Sequence, residues 1–361
     1  AVAWAHLAEQ HSRLFRLLDP SEERKKAART AAQRATEIDP DLSEGWRALA
    51  FFSHDCDRDN IRALTEFERV LAIRPNDSKA LLGAAFALQR LGRWTEAVAK
   101  LQQAMNIDPR DAQLPYQLGL TYNQLRRYAE AERLMDRSIT LAPDSVDGYI
   151  GKWGLFLSQG RFPEARTVLN GVPTSSSRLR QFHLEQEIIE RNFATALDLI
   201  GRTSESDYEE AWGTAAAKWL DECRCYFFMG NTDRVREACE RAVSGYENWI
   251  KEYPQSPSAH CNLSQAYALM GRKEAAIAEA ERAIALRPVS SDAISGPRYV
   301  WRSAQIYAVV GELDTAIDRI EYVLSIPWRV GVGNLRAHPD WDPLRNHPRF
   351  QALLEKGHTV F

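Results

Sequence analysis

The sequence predicts an all-α protein, a right-handed α-solenoid of about nine helix-turn-helix repeats with a C-terminal capping helix. Three observations carry that reading. The prolines of Ile73-Arg74-Pro75, Ile107-Asp108-Pro109 and Leu141-Ala142-Pro143 stand 34 residues apart. The same interval links Ala63, Ala97 and Ala131, then Phe67, Leu101 and Met135, and again Ala85 and Gly119. Inside each interval apolar residues recur at steps of three and four, as in Leu81, Ala84, Ala85, Leu88 and then Ala97, Leu101, Ala104, with Gly92 between the runs. Each run is the apolar stripe of an amphipathic helix, and the glycine marks a tight turn. The proline ends the second helix, because it lacks an amide hydrogen and steers the residue before it out of α geometry. A helical pair this short cannot bury its stripe alone, so successive pairs must stack and share one core.

This pattern resembles the tetratricopeptide repeat, whose signature runs Trp, Leu, Gly, Tyr, then Ala, Phe and a closing Pro. Leu118-Gly119, Tyr122, Ala131 and Pro143 fill most of it in one unit, and Leu263, Tyr267, Gly271, Ala276, Ala283 and Pro288 do so in another. Taken in order, Trp4, Leu7 and Ala8 begin the first unit, with Ala28, Ala32, Ala35 and Pro40 as its second helix after a longer loop around Asp19-Pro20. Trp46, Leu49, Ala50, Ala63, Phe67 and Pro75 make the next. Trp153, Phe156, Gly160, Ala165 and Leu169 keep the spacing, but the run from Gly171 to Ser177 cuts the second helix short and predicts a softer joint. A poorer unit follows around Ala196, then one over 209–253 with an extended second helix. Regularity returns over 258–288, a longer connection spans 289–297, and Tyr307, Gly311, Ala316 and Ile320 mark the last pair. The expected division is an N-terminal array over 1–175 (repeats 1–40, 41–75, 76–109, 110–143 and 144–175), degenerate repeats over 176–255, and C-terminal pairs with a cap over 256–361. The cap is a short helix laying Phe350, Leu353 and Leu354 on the end of the stack.

The stretch Trp341-Asp342-Pro343-Leu344-Arg345-Asn346-His347-Pro348-Arg349-Phe350 is also similar to the tail of tetratricopeptide regions at the C-terminus of bacterial multidomain signalling proteins. Those include class III nucleotide cyclases, Ser/Thr kinases and winged-helix regulators. This second resemblance implies an effector domain before Ala1.

Composition narrows the function classes. The chain has 361 residues, 45% of them hydrophobic and 26% charged, far from the balance of a disordered polymer. Lys plus Arg is 46 and Asp plus Glu is 49, a net charge of -3, which gives no broad cationic field for a nucleic acid. No apolar run reaches the roughly 18 residues that cross a bilayer, and the start lacks a signal-peptide layout, so a cytoplasmic chain without membrane insertion is expected. Five scattered cysteines fit a reducing compartment.

The sequence lacks the phosphate-loop, HExxH, GxSxG and GxGxxG patterns. His183-Leu184-Glu185-Gln186-Glu187 has the start of a metal helix without its second histidine. Cys223 and Cys225 point about 200° apart on a helix, whereas metal thiolates converge. Cys223 fills the slot of Ala85 and Gly119, and Cys239 that of Phe67 and Leu101, which makes both packing residues. Asp55, Asp57, Asp59 and Glu66 have the ligand spacing of an EF-hand calcium loop. Against a calcium site, Asn60 replaces the sharp-turn glycine and the repeat register starts a helix there; the alternative is an inter-helix turn in which one acidic residue caps the helix. Trp4, Trp46, Tyr122, Tyr226, Tyr267 and Tyr307 occupy core slots of the pattern. No cofactor and no catalytic residue is assigned.

Function is therefore expected on the concave face lined by the first helices, which in such a stack receives a peptide or a partner's helix. Register places Phe51, His54, Lys79, Phe86, Arg90, Tyr116, Asn123 and Gln124 there in the N-terminal half, and Asn262, Gln265, Arg298, Trp301, Arg302 and Gln305 in the C-terminal half. Arg298 and Arg302 lie one helical turn apart beside Trp301, an arrangement suited to a carboxylate or an acidic peptide. In chaperone-binding members of the family a two-carboxylate clamp uses Lys and Asn, and the matching places here hold Leu82, Phe86, Tyr116 and Leu120. The resemblance thus implies a non-enzymatic protein-interaction scaffold that does not take chaperone tails. The alternatives are a calcium-responsive solenoid and an enzyme with its active site on the groove.

Overall fold

The computed structural model describes every residue except 18–20, 174–176 and 357–359. Among the described residues there are helices and no strand. The chain forms two units, the first comprising Ala1–Thr121 with Ser290–Ile294 and the second Tyr122–Val289 with Ser295–Phe361.

The first unit contains the pairs α1 (Val2–Leu17) and α2 (Glu22–Ile38), α3 (Ser43–Phe52) and α4 (Asn60–Ile73), and α5 (Ser78–Arg90) and α6 (Trp94–Ile107), followed by most of α7 (Gln113–Gln124). Side-chain caps start several of these helices. Ser21 accepts from the Arg24 amide at 3.2 Å, Asp59 from Arg62 at 3.0 Å and Asp77 from Ala80 at 2.9 Å, satisfying amides that a first turn leaves without partners. The predicted stripes are the core: Leu81, Ala84, Ala85, Leu88, Ala97, Leu101 and Ala104 are at most 1% exposed. Packing between pairs is close. The Phe67 ring of α4 stands where a Cβ on Gly83 of α5 would be, 2.2 Å from that position, so the aromatic slot of one pair is completed by a glycine of the next. Arg47 on α3 binds Glu9 of α1 at 2.8 Å and the α5 cap Asp77 at 2.7 Å, connecting three successive pairs. One core slot is not filled as expected: Trp4 is 40% exposed, because α1 has no preceding helix against its outer face among the described residues. The loop expected around Asp19-Pro20 lies outside the described residues.

The second unit continues with α8 (Tyr128–Leu141), the pair α9 (Val146–Gln159) and α10 (Phe162–Asn170), and the pair α11 (Ser177–Ile189) and α12 (Phe193–Gly201). Helix α13 (Glu205–Trp212) then stands apart, and three pairs follow: α14 (Ala216–Phe228) with α15 (Thr232–Glu252), α16 (Pro257–Leu269) with α17 (Lys273–Leu286), and α18 (Gly296–Val309) with α19 (Leu313–Leu324). The unit expected over 209–253 therefore has its first helix at Ala216, after Gly213 stops α13 in a left-handed turn (φ 76°). Its second helix is long, as the sequence indicates. Of the joint predicted after Gly171, residues 174–176 lie outside the described residues.

Turns within the pairs need a left-handed residue. Glycine supplies it at Gly160 and Gly271, but Arg126 (φ 57°) and Arg191 (φ 63°) hold the same conformation at roughly 1–2 kcal/mol cost each. Cys223 and Cys239 fill their predicted packing slots with no exposure, and those slots face each other between α14 and α15: the two sulfurs form a disulfide with Cα atoms 5.3 Å apart. This bond runs against the reducing compartment expected from five scattered cysteines, because spacing does not show which slots face each other.

The chain closes with α20 (Val332–Ala337), a 3-10 turn over Pro339–Leu344, and α21 (Pro348–Lys356). As expected, α21 caps the last pair, with Phe350 fully buried and Leu353 and Leu354 partly so against the core of α18 and α19. The core also takes in Trp328, Leu335, Trp341 and Leu344, so the closing segment is part of the interior from residue 328 onward.

Gly83→Ala should lower the unfolding free energy by about 1–3 kcal/mol through overpacking against Phe67. In a Phe67→Leu background the increment should shrink, since the two sites share one space. Denaturant titration of the four chains reads this; equal increments in both backgrounds would contradict the packing.

Candidate functional site: a cleft in the second unit

The first helices α11, α14, α16 and α18 present polar residues inward in the second unit, and the chain after α19 returns along them. Between these parts lies a cleft of about 370 Å3. Its lining includes Arg298, Trp301, Arg302 and Gln305 of α18, and Cys261 and Asn262 of α16. Tyr246 and Trp249 from the end of α15, Glu185 of α11, and Trp328, Arg329, Asn334 and His338 of the returning segment complete it.

Helical spacing explains the α18 wall. Trp301 turns into the core, packing edge-on to Trp341 at 4.7 Å and lying 6.0 Å from Trp328, and that fixes which way the flanking arginines face. Arg302 donates to the Gln305 side-chain oxygen Oε1 at 3.1 Å, and Gln305 Nε2 donates to Asp340 at 2.6 Å. Arg298 is exposed and, among the described residues, makes no side-chain hydrogen bond or ion pair. On α16, Asn262 donates to the Tyr246 hydroxyl at 3.1 Å.

Beneath this wall is a charge network. His338 Nε2 meets Glu185 at 3.0 Å and its Nδ1 lies 3.3 Å from Asp340, while the Arg224 guanidinium of α14 stands 3.5 Å from Glu185 and 3.6 Å from Asp221. Tyr208 donates to Asp221 at 3.2 Å. Burial by itself would raise the Glu185 pKa, but Arg224, His338 and Arg302 outweigh it and hold the carboxyl well below its usual range. Asp221 goes the other way. Burial, with repulsion from Glu185, pushes it up to about 6 against the pull of Arg224. Burial also raises the Cys261 thiol and the Tyr246 phenol.

Of the residues that register put on the C-terminal groove, Asn262, Arg298, Trp301, Arg302 and Gln305 share this cleft, and Gln265 is half-buried outside it. Those of the N-terminal half do not form one site. In the first unit Phe51 packs edge-on to Phe67 at 5.0 Å, and His54 is buried, bonded to Asn60 at 2.8 Å and stacked on Phe86 at 6.1 Å. Burial and the nearby Arg90 bring His54 down to about 4. Arg90 pairs with Asp292 at 2.6 Å, Tyr116 is half-buried and Lys79 is exposed. In the second unit Asn123 and Gln124 are enclosed at the end of α7 and offer no groove surface.

The acidic residues with calcium-loop spacing diverge. Asp55 binds Arg16 at 2.9 Å, Asp57 faces Lys25 and Arg29 at 3.1 and 3.3 Å, and Glu66 accepts from Ser53 and Arg62. Asp59 caps α4, as the alternative reading of that turn has it.

Glu185, Asp221, Arg224, Tyr246, Trp328 and His338 were missed as site residues. Glu185 lies in the stretch His183–Glu187 that has the start of a metal helix, but its partner His338 is 153 positions away and no spacing joins them.

Because Asp221 titrates near 6 when folded and near 3.9 when unfolded, the folded state holds an extra proton between those values. That group therefore favours folding below pH 4, and the advantage is lost as pH rises through 6, up to about 3 kcal/mol. Asp221→Asn should match the wild type near pH 4 and exceed it by about 1–3 kcal/mol at pH 8 in urea titrations. An equal difference at both pH values would contradict the assignment.

Comparison with known proteins agrees with the repeat reading. Tetratricopeptide repeat models match residues 57–118, 112–145 and 257–290. The chain is 34% identical over 110 residues to mouse interferon-induced protein with tetratricopeptide repeats 3, covering 30% of this chain and 26% of that protein. It is 24% identical over 294 residues to the protein CTR9 homolog of Arabidopsis thaliana, covering 71% of this chain and 26% of the relative. The chain thus spans about a quarter of the length of these curated relatives. The crystal structure of yeast Tom70 superposes with a TM-score of 0.57 at 16% identity, over 86% of this chain and 65% of that one, a likeness of fold. Residues 57–145 and 257–290 are thus tetratricopeptide repeats, set in a chain of stacked helical pairs with an α-solenoid fold.

Proposed function

We propose that this chain is a non-enzymatic protein-interaction module whose second unit binds a peptide carrying acidic residues beside an aromatic one. Tetratricopeptide repeat proteins act in general as interaction scaffolds. The observation that carries the ligand chemistry is the cleft wall of α18. Arg298 is exposed there with no side-chain partner among the described residues, and Arg302 and Arg329 add two more guanidinium groups. The lining carboxylate, Glu185, is already matched by His338 and Arg224, so the cleft favours an anion. Trp249, half-buried on the lining, offers an apolar ring to an aromatic side chain. The thiol on the lining, Cys261, is kept protonated by burial, which favours binding over nucleophilic chemistry.

The wider setting that we propose is a regulatory or scaffolding module of a larger bacterial signalling protein. It rests on the likeness of the stretch from Trp341 to Phe350. A cyclase, kinase or DNA-binding domain encoded upstream of Ala1 would support it, and an unrelated upstream sequence would contradict it.

Arg298→Glu/Arg302→Glu should weaken a fluorescein-labelled Glu-Phe-Asp-Glu peptide at least tenfold by fluorescence anisotropy, the loss expected when charge-assisted contacts of about 1.5–3 kcal/mol are removed. Wild-type affinity should also fall as salt rises. Equal affinity of the two chains would overturn the reading.

A further inference from the structure

Residues 325–345 return across the second unit and meet three consecutive turns. At the turn between α7 and α8, Arg126 donates to four main-chain carbonyls. Its Nη1 reaches Leu324 at 2.8 Å, Nη2 reaches Val323 and Ile326 at 3.2 Å each, and Nε reaches Val330 at 3.1 Å. At the turn after α9, Gly160 and Gly333 lie so close that a Cβ on Gly333 would stand 2.2 Å from the Gln159 carbonyl carbon, and the Ser158 hydroxyl donates to the Arg329 carbonyl. At the turn after α11, Arg191 grips Asp342 with two bonds, 2.8 and 2.6 Å. Two of these three turns put an arginine in the left-handed place where other pairs of the unit put glycine, and both arginines hold the same returning segment.

The chemistry at Arg126 is that of a helix end. Val323 and Leu324 close α19, whose last carbonyls have no amide partner in the helix and carry the negative end of its dipole. A guanidinium spanning them is well matched, and Arg126 is only 1% exposed, so opening the contact would strand a desolvated cation and bare carbonyls together. The segment so held supplies Trp328, Arg329 and Val330 to the cleft.

We infer that Arg126 is a positioning residue for the cleft. By holding the carbonyls of residues 323–330 it keeps Trp328, Arg329 and Val330 in place as one wall, so affinity for the anionic peptide depends on closure of residues 325–338. This inference rests on the cleft being the binding site. A ligand that touches both α18 and the returning segment binds the closed form better, and by linkage it must also favour closure.

The test uses the full chain, with hydrogen exchange read by mass spectrometry and the labelled Glu-Phe-Asp-Glu peptide as probe. Arg126→Ala is expected to speed exchange over 325–338 at least tenfold and to weaken peptide binding by a similar factor, with α16 and α17 unchanged. Arg126→Lys keeps the charge but cannot span four carbonyls, and should fall between. Saturating peptide should slow exchange over 325–338 in the wild type. Unchanged exchange in Arg126→Ala, or faster exchange with unchanged affinity, overturns the inference. If α16 and α17 also lose protection in Arg126→Ala, the lysine variant decides by the same two readouts. A wild-type chain that does not bind the peptide overturns the ligand reading of the cleft, and exchange alone then decides whether Arg126 holds the wall.

Discussion

A hairpin of two short helices has more apolar surface than its own two faces can cover, and this shortage dictates the architecture. Each pair must borrow cover from the next. In the first unit the loan is visible atom by atom: the Phe67 ring of one pair occupies the space left by Gly83 in the following pair, and neither residue is satisfied within its own hairpin. The recurrence every 34 positions of alanine at 63, 97 and 131 and of a large apolar residue at 67, 101 and 135 records that requirement along the chain. Ion pairs such as Arg47 with Glu9 and Asp77 follow the same logic in polar form, joining three pairs at once.

Among the described residues of the second unit no further pair follows α19, and the shortage is met differently. The closing segment buries Trp328, Leu335, Trp341, Leu344 and Phe350 into the core of α18 and α19, and its return past α9 and α11 encloses polar residues that a simple end cap would leave in water. The cleft results from that enclosure. Its α18 wall is oriented by a buried tryptophan, its charge is set by arginines in excess of unmatched carboxylates, and its returning wall stays in place through main-chain carbonyls gripped from a turn. Burial pushes both Glu185 and Asp221 up and Arg224 and Arg302 pull both down; they respond in opposite directions because His338 adds a hydrogen bond and charge to the first, while the Glu185 charge repels the second.

Much of this was legible in the sequence, because it is local. Stripe residues such as Leu81 and Leu101 and the terminal cap at Phe350 are read from spacing and residue type alone, and so is the clustering of Arg298, Trp301 and Arg302 on one helix. What was not legible involves distant segments. Glu185 and His338 meet only because the chain turns back after α19, a path that no periodicity encodes. Cys223 and Cys239 were placed in the right slots, yet only the packed pair shows that the slots face each other. Asn123 and Gln124 were misread since a helical register gives a face but not what covers the last turn of α7. A signal for the returning segment did exist: Arg126 and Arg191 stand where a turn favours glycine, and a residue kept at such a cost points to a long-range contact.

Native-state hydrogen exchange after one truncation tests the shared interior most directly. When Phe67 of α4 is replaced by alanine, protection should fall in α5 and α6 as well as in α3 and α4, since the removed ring belongs to both pairs. Loss confined to α3 and α4, with α5 and α6 as protected as before, would contradict the account.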